Sequence, residues 1–407
     1  MRKMALVLLA ACGGGSDNNH MVVLEPDAAP DVAIDAPPKQ PVAVEFDVYG
    51  TPAFVAYRDG SGAWQTPTDD GQGAYTLMVT DDYQVVVACT TADQYQSTLF
   101  SQTVDDGQQY AFCNGAPDAQ TTVAVTGTMQ QAGEVFMEDE ASSATANWNV
   151  ALDVSPRTHD LIAVDTGHHM LIRRGLAIAG ATTLDPIDLT AAPAMTPVTL
   201  AVNGVGNGEM MYNAIDLLTA NDFAEFSSTT TSLYAPPSSL LGGSDYEFLV
   251  AEAYSGTQYR YADTQFTGTE TTFTLPDPLT GITFGKGKAT WTTLPAMFDG
   301  AQLTLDQDNG TQIIQQVVQA TRRWIDKTQA TTLEFDVQPP GYDAAWNVDT
   351  GTGYSRQFSA SYQEGNTSYG VGMFDTVTAR QRAKRPWFSA VERVRASMRS
   401  QHTMPRR

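Results

Sequence analysis

From Val42 onward, apolar and polar residues alternate with a period of two. Val42, Val44, Phe46 and Val48 interleave with Ala43, Glu45 and Asp47, the pattern of a half-buried strand. Phe54 to Tyr57, then Tyr75, Leu77 and Val79, then Tyr83, Val85 and Val87 continue it. Arg58-Asp59-Gly60, Asp70-Gly71, Asp81-Asp82 and Asp105-Asp106-Gly107 punctuate the runs as turn signals. A strand roughly every ten residues suits a β-sandwich. The first module is placed at 42–116.

A second module, 117–192, is expected from Thr122 to Thr126, the alternation Trp148, Val150, Leu152, Val154, and the hairpin-like turn Asp165-Thr166-Gly167. A third, 193–280, rests on Val198, Leu200 and Val202, then Tyr246, Phe248 and Val250, then Phe273 and Leu275. Within it, Met210 to Leu218 reads as a short helix. The fourth, 281–378, carries Leu303 and Leu305, Phe358, Ala360 and Tyr362, and Tyr369, Val371 and Met373. Ile313 to Ile325 fits helical spacing, but its β-branched residues and the turn pair Asn309-Gly310 favour strand, and strand is the expectation. The predicted fold class is all-β, a series of tandem β-sandwich modules; two larger domains are the alternative division. No exact repeat marks the modules in the sequence. With Trp291, Trp324, Pro340-Gly341-Tyr342 and Trp346, the fourth segment resembles a fibronectin type III or other Ig-like module.

The ends have a different texture. Met1-Arg2-Lys3 is positive, Met4 to Ala11 is apolar, and the run closes in Leu9-Ala10-Ala11-Cys12. The apolar run is too short to span a bilayer and reads as a targeting segment. The motif resembles the lipobox of bacterial lipoproteins. That resemblance implies a signal peptide, 1–11, removed before Cys12, and acylation of Cys12. It also implies that Gly13, in place of Asp, favours the outer membrane. Acyl chains contribute about 0.8 kcal/mol per buried CH₂, so several chains anchor a protein stably. Residues 12–41, rich in Gly, Pro, Ala and Asp, bury too little surface to fold and read as a disordered tether. In 379–407, Trp387, Val391, Val394 and Met398 form a helical stripe, with Arg393, Arg395 and Arg399 mostly off it. This basic tail is either disordered or an amphipathic helix that docks on an anionic surface, lipid or the acidic body.

Charge sharpens the picture. The chain has 23 basic and 46 acidic residues, a net charge of −23. Nine of the basic residues and one acid lie in 380–407, so that segment carries +8 while 12–379 carries −33. Such a body repels nucleic acid and anionic lipid; no nucleic-acid partner is expected. With Cys12 acylated, Cys89 and Cys113 remain. In an oxidising compartment an isolated pair reads as a disulfide, two buried thiols being the alternative.

Candidate chemistry is sparse. Asp165-Thr166-Gly167 and Asp349-Thr350-Gly351 resemble the paired triplets of pepsin-like aspartic proteases, in which two carboxylates share a proton. The first triplet, however, runs into His168-His169 where that family has Ser or Thr. Asp-x-Gly is also an ordinary turn. His159-Asp160 with His168-His169 could set ligands on one hairpin, but zinc needs three or four convergent ligands. Asp306 and Asp308, followed by Asn309-Gly310, are calcium candidates, with the glycine one place early for an EF-hand; Glu138-Asp139-Glu140 is another acidic cluster. Neither G-x-S-x-G, nor a phosphate-binding loop, nor H-E-x-x-H is present. Six tryptophans either fill cores or stack on sugars. No catalytic residue and no cofactor is assigned. The expectation is a non-catalytic, lipid-anchored cell-envelope protein that presents a binding or structural surface to a protein or glycan partner. An aspartic-type hydrolase using Asp165 and Asp349, or a glycan-binding protein, is the alternative.

Overall fold

The computed structural model describes residues 39–375, apart from 92–93, 108, 114–121, 138–139, 154–156, 229, 231, 269 and 352. Cys12, the signal peptide, most of the tether, the basic tail and most of the Glu138-Asp139-Glu140 cluster lie outside the described residues. The described chain is built mainly of strands, with one α-helix and two short 3₁₀ helices. No helix in it is long and apolar enough to cross a membrane.

The first segment contains β1 (Val42–Tyr49), β2 (Phe54–Asp59), β3 (Thr68–Asp69), β4 (Ala74–Val79), β5 (Asp82–Thr90), β6 (Gln94–Thr103) and β7 (Gln109–Phe112). In β4, Tyr75, Leu77 and Val79 are buried while Thr76 and Met78 are exposed. The period-two pattern therefore turns one face onto β5 and its neighbours, as the sequence requires. Two sheets, β3-β4-β1-β7 and β2-β5-β6, close over Phe46, Leu77, Tyr83, Val85 and Phe100. β5 is covered on both faces, which explains its unbroken Val85-Val86-Val87-Ala88 run.

The second segment contains β8 (Thr122–Thr128), β9 (Gly133–Met137), β10 (Glu140–Ala144), β11 (Asn147–Asp153), β12 (Arg157–Asp165), β13 (Met170–Ile178) and β14 (Thr182–Thr183). The third contains β15 (Thr196–Thr199), β16 (Ala201–Asn203), β17 (Met210–Leu218), β18 (Phe223–Ser228), β19 (Ser232–Ala235), β20 (Tyr246–Ser255), β21 (Gln258–Gln265) and β22 (Thr272–Thr274). The fourth contains β23 (Ile282–Gly285), β24 (Lys288–Trp291), β25 (Gly300–Asp308), β26 (Ile313–Thr321), α1 (Arg322–Thr328), β27 (Thr332–Glu334), β28 (Ser355–Glu364) and β29 (Thr367–Phe374).

One pairing plan recurs in all four segments. An early strand pairs antiparallel with a later one in the smaller sheet: β1 with β4, β8 with β11, β15 with β19, β24 with β27. In the larger sheet β2, β9, β17 and β25 pair with β5, β12, β20 and β28. Each of those then turns back in a hairpin, onto β6, β13, β21 and β29. The first, second and third segments each have a cluster drawn from their own strands, whereas that of the fourth also takes in Ala56, Val86 and Leu99 of the first.

Sheet pairing nonetheless crosses between segments. β21 joins β29 antiparallel, and β26 joins β6 in parallel. One eleven-stranded sheet results, in the order β18-β17-β20-β21-β29-β28-β25-β26-β6-β5-β2. The second segment keeps its sheets, β10-β9-β12-β13 and β11-β8-β14, to itself.

Two local expectations are corrected. Met210 to Leu218 is not a helix but β17, held between β18 and β20, where pairing on both sides overrides the helical preference of Met, Ala and Leu. Ile313 to Ile325 is strand only as far as Thr321. There the Thr321 hydroxyl oxygen accepts the N–H of Trp324 and caps α1, which buries Ile325. Asn309-Gly310 does turn the β25–β26 hairpin, with Gly310 at φ +86°. Cys89 and Cys113 are disulfide-bonded, linking β5 to the chain just after β7.

Candidate functional site at the junction of the second and third modules

The Asp165-Thr166-Gly167-His168-His169 segment forms the β12–β13 turn. Asp165 is buried, and its carboxylate accepts the His169 N–H at 2.8 Å and lies 3.1 Å from His169 Nδ1. A short acidic side chain that binds the backbone beyond it is what an Asp-x-Gly turn uses. His168 takes the left-handed conformation, φ +61°, which turns its ring out of the hairpin. That ring stacks on Tyr234 of β19, with centroids 3.4 Å apart and planes 12° from parallel. The inter-module link fastens the same turn from below: Met195 N–H donates to the His168 carbonyl at 2.7 Å, and Met170 N–H to that of Pro193 at 3.0 Å.

Beside this stack lies a cleft of about 580 Å³. β9 and β10 supply one wall, with Glu134 and Ser143, and Thr145 follows just beyond β10; β18 and β19 supply the other, with Phe226, Ser228, Ser232 and Tyr234. Asp165, Thr166 and His168 line it as well. Gly133 allows the wall to close, since a Cβ there would meet the Val164 carbonyl oxygen at 2.0 Å. Under the cleft the two modules share an apolar cluster of Phe136, Ile162, Met170, Met195, Leu217 and Ala224.

A buried polar cluster secures the same junction. His159 Nδ1 lies 3.5 Å from Asp222 Oδ1, and the Asp160 N–H donates to Asp222 as well. Asp160 accepts from Asn221 at 3.0 Å and from the Gly175 N–H at 2.8 Å. Arg174 reaches Asp245 across the modules and stands 3.7 Å from Asp160. Carboxylates buried this deeply are tolerated because charge and N–H donors meet them.

The remaining sequence candidates are dispersed. Asp349 accepts the Gly351 N–H at 2.8 Å, and Gln307 clamps its backbone. It belongs to the fourth module, so Asp165 and Asp349 each serve a turn in a different module. Asp308 accepts the Gly310 N–H at 2.8 Å within its hairpin, and Asp306 accepts from Gln315 at 2.6 Å. His159 lies at one end of β12 and His168-His169 at the other. Among the described residues no three His, Cys, Asp or Glu side chains converge as a metal site.

Of the tryptophans, Trp148 and Trp291 are buried. Trp64 lies under the Arg58 guanidinium, and Trp346 packs edge-on to Tyr342. Trp387 lies outside the described residues.

Sequence reasoning missed Tyr234, Phe226 and Glu134. They stand in no motif, and only the pairing of β18 and β19 with their own module brings them opposite the β12–β13 turn. The chain matches no protein-family model and no curated protein.

Proposed function

We propose that the chain is a non-catalytic cell-envelope lipoprotein, held through acylated Cys12 in the outer membrane, that binds a glycan in the cleft between its second and third modules. The supporting observation is the cleft itself. It is large enough for about two or three sugar rings, and it sits where two independently cored modules meet, a common location for ligand sites. Its lining combines hydroxyls of Ser143, Thr145, Ser228 and Ser232 with the carboxylates of Glu134 and Asp165 and the rings of Phe226 and Tyr234. Hydroxyl and carboxylate groups hydrogen-bond a polyol, and a ring face covers its C–H side. The anchor rests on the Leu9-Ala10-Ala11-Cys12 motif.

The test has two arms. Cys12→Ala should move the protein from the membrane to the soluble fraction; continued pelleting with membranes would overturn the anchor. Full-length protein in detergent should retain members of an oligosaccharide array, and Ser228→Trp, which fills the cleft, should cut that retention at least tenfold. No retained sugar, or retention indifferent to Ser228→Trp, would overturn the cleft assignment.

A further inference from the structure

The two modules that meet at the cleft are short of positive charge. From 117 to 280 the chain holds 20 acidic residues against four arginines and no lysine. Arg173 is taken up by the Asp185 and Pro186 carbonyls, at 2.7 and 2.6 Å. Arg174 is taken up by Asp245 and the Leu240 carbonyl. Arg260 is buried in the third module against Glu209 and the Pro276 carbonyl. Among the described residues, neither lysine nor arginine lines the cleft; its carboxylates are those of Glu134 and Asp165.

Those two carboxylates differ. Asp165 is buried, and His169 meets it through both its N–H and its Nδ1. Glu134 is exposed on β9, and among the described residues no hydrogen bond or ion pair holds its side chain. Sheet register fixes where it faces. Glu134 stands opposite Ser143 of β10 on one side and Val164 of β12 on the other. Directly paired residues share a face, and all three line the cleft. Two residues along β9, on the same face, Phe136 pairs with Ile162 and meets the Phe226 ring edge-on at 5.7 Å. Phe136 is buried and Glu134 is not. Where the apolar contact between the modules gives out, the next side chain on β9 is thus an unpaired carboxylate.

We propose that the glycan taken by the cleft is an amino sugar, its protonated amine paired with Glu134. The inference rests on the glycan reading of the cleft and narrows it. A uronate or sulfated sugar would bring further negative charge to a site with two carboxylates, and the acidic modules around it add to the repulsion. A neutral sugar leaves Glu134 with water alone. A ring ammonium carries three N–H donors and a positive charge, which the Glu134 carboxylate and the neighbouring Ser143 hydroxyl accept. Because Glu134 is exposed, the preference is modest, about two- to fivefold, and salt weakens it.

Full-length protein in detergent is titrated with three probes of equal length: a glucosamine trimer, its N-acetylated counterpart and a galacturonate trimer. In mildly acidic buffer of low salt, where the amines are charged, the glucosamine trimer should bind several-fold tighter than the N-acetylated one, and the uronate weakest. Glu134→Gln should erase the difference between the first two, and added salt should shrink it in the parent. Ser228→Trp should cut binding of the glucosamine trimer at least tenfold, which separates the cleft from attraction by acidic surface elsewhere. Equal binding of the first two probes by the parent, a preference that survives Glu134→Gln, or tightest binding of the uronate would overturn the amine assignment and leave the glycan reading standing. Binding indifferent to Ser228→Trp would overturn both. If none of the three binds, the oligosaccharide array decides: retained sugars without amines overturn the amine assignment alone, and an empty array overturns the cleft reading with it.

Discussion

Gly370 of β29 lies directly beneath the ring of Tyr261 in β21: a Cβ on Gly370 would come within 2.1 Å of Tyr261 Cε1. Gly372 and Tyr259 repeat the relationship one pair along, at 2.0 Å. Both pairs straddle the seam where the third and fourth modules fuse into one sheet. The tyrosine rings fill the space that side chains on Gly370 and Gly372 would need, and so cover an otherwise bare stretch of strand.

Gly370→Ala should therefore destabilise the protein by about 1–3 kcal/mol, the range of overpacking, since Tyr261 is fully buried and has little room to move. Gly180→Ala is the control, because nothing lies within 4 Å of its Cβ position. Denaturant midpoints of the two variants check this; equal midpoints would mean the seam yields.

The Cys89–Cys113 bond closes a loop of 24 residues across the first sandwich. Loop-closure entropy for that length is worth roughly 3 kcal/mol. The double variant Cys89→Ala/Cys113→Ala should lower the denaturant midpoint by the equivalent of that figure, and a reductant should shift the parent but not the variant. A parent protein indifferent to reductant would contradict the assignment.

Glu247 in β20 gives a pH dependence with a definite sign. Burial first, then neighbouring Asp245, pushes its carboxyl from 4.5 up to about 7. Between those values the folded chain keeps a proton that the unfolded chain has released. Stability contributed by this group is thus full below about 4.5 and is lost as pH rises towards 7. Glu247→Gln should remove that slope, raising the melting temperature above the parent's at pH 8 and leaving it close at pH 4.5. A variant that melts lower at pH 8 would show instead that the ionised group is stabilised by its surroundings.

Much of the scaffold was legible because strands with one buried face must alternate. Phe46 and Val48, Leu77 and Val79, and Phe358 and Ala360 declare their buried faces directly, and all six are buried. The disulfide was legible from two cysteines at the ends of apolar runs. Pairing between distant segments was not. Nothing in Gln94 to Thr103 signals a parallel partner at Ile313 to Ala320, because polar residues such as Gln316 and Ser97 occupy much of both strands. The four-fold pairing plan was hidden for a related reason: sheet order constrains burial and register without requiring the same amino acids. At the candidate site, Asp165 and His168 stood out as a turn, but the partner Tyr234 comes from another module and became visible only through the fold.

The parallel seam between β6 and β26 has a consequence for how the molecule is made. Residues 94–101 meet residues 313–320, so more than two hundred residues must emerge before β6 gains its neighbour. Until then the first module keeps an open edge, the kind of edge that recruits other chains. The fourth module thus acts as keystone, closing flanks left by both the first and the third, and a chain cut short before Ile313 should aggregate where the 407-residue chain stays dispersed.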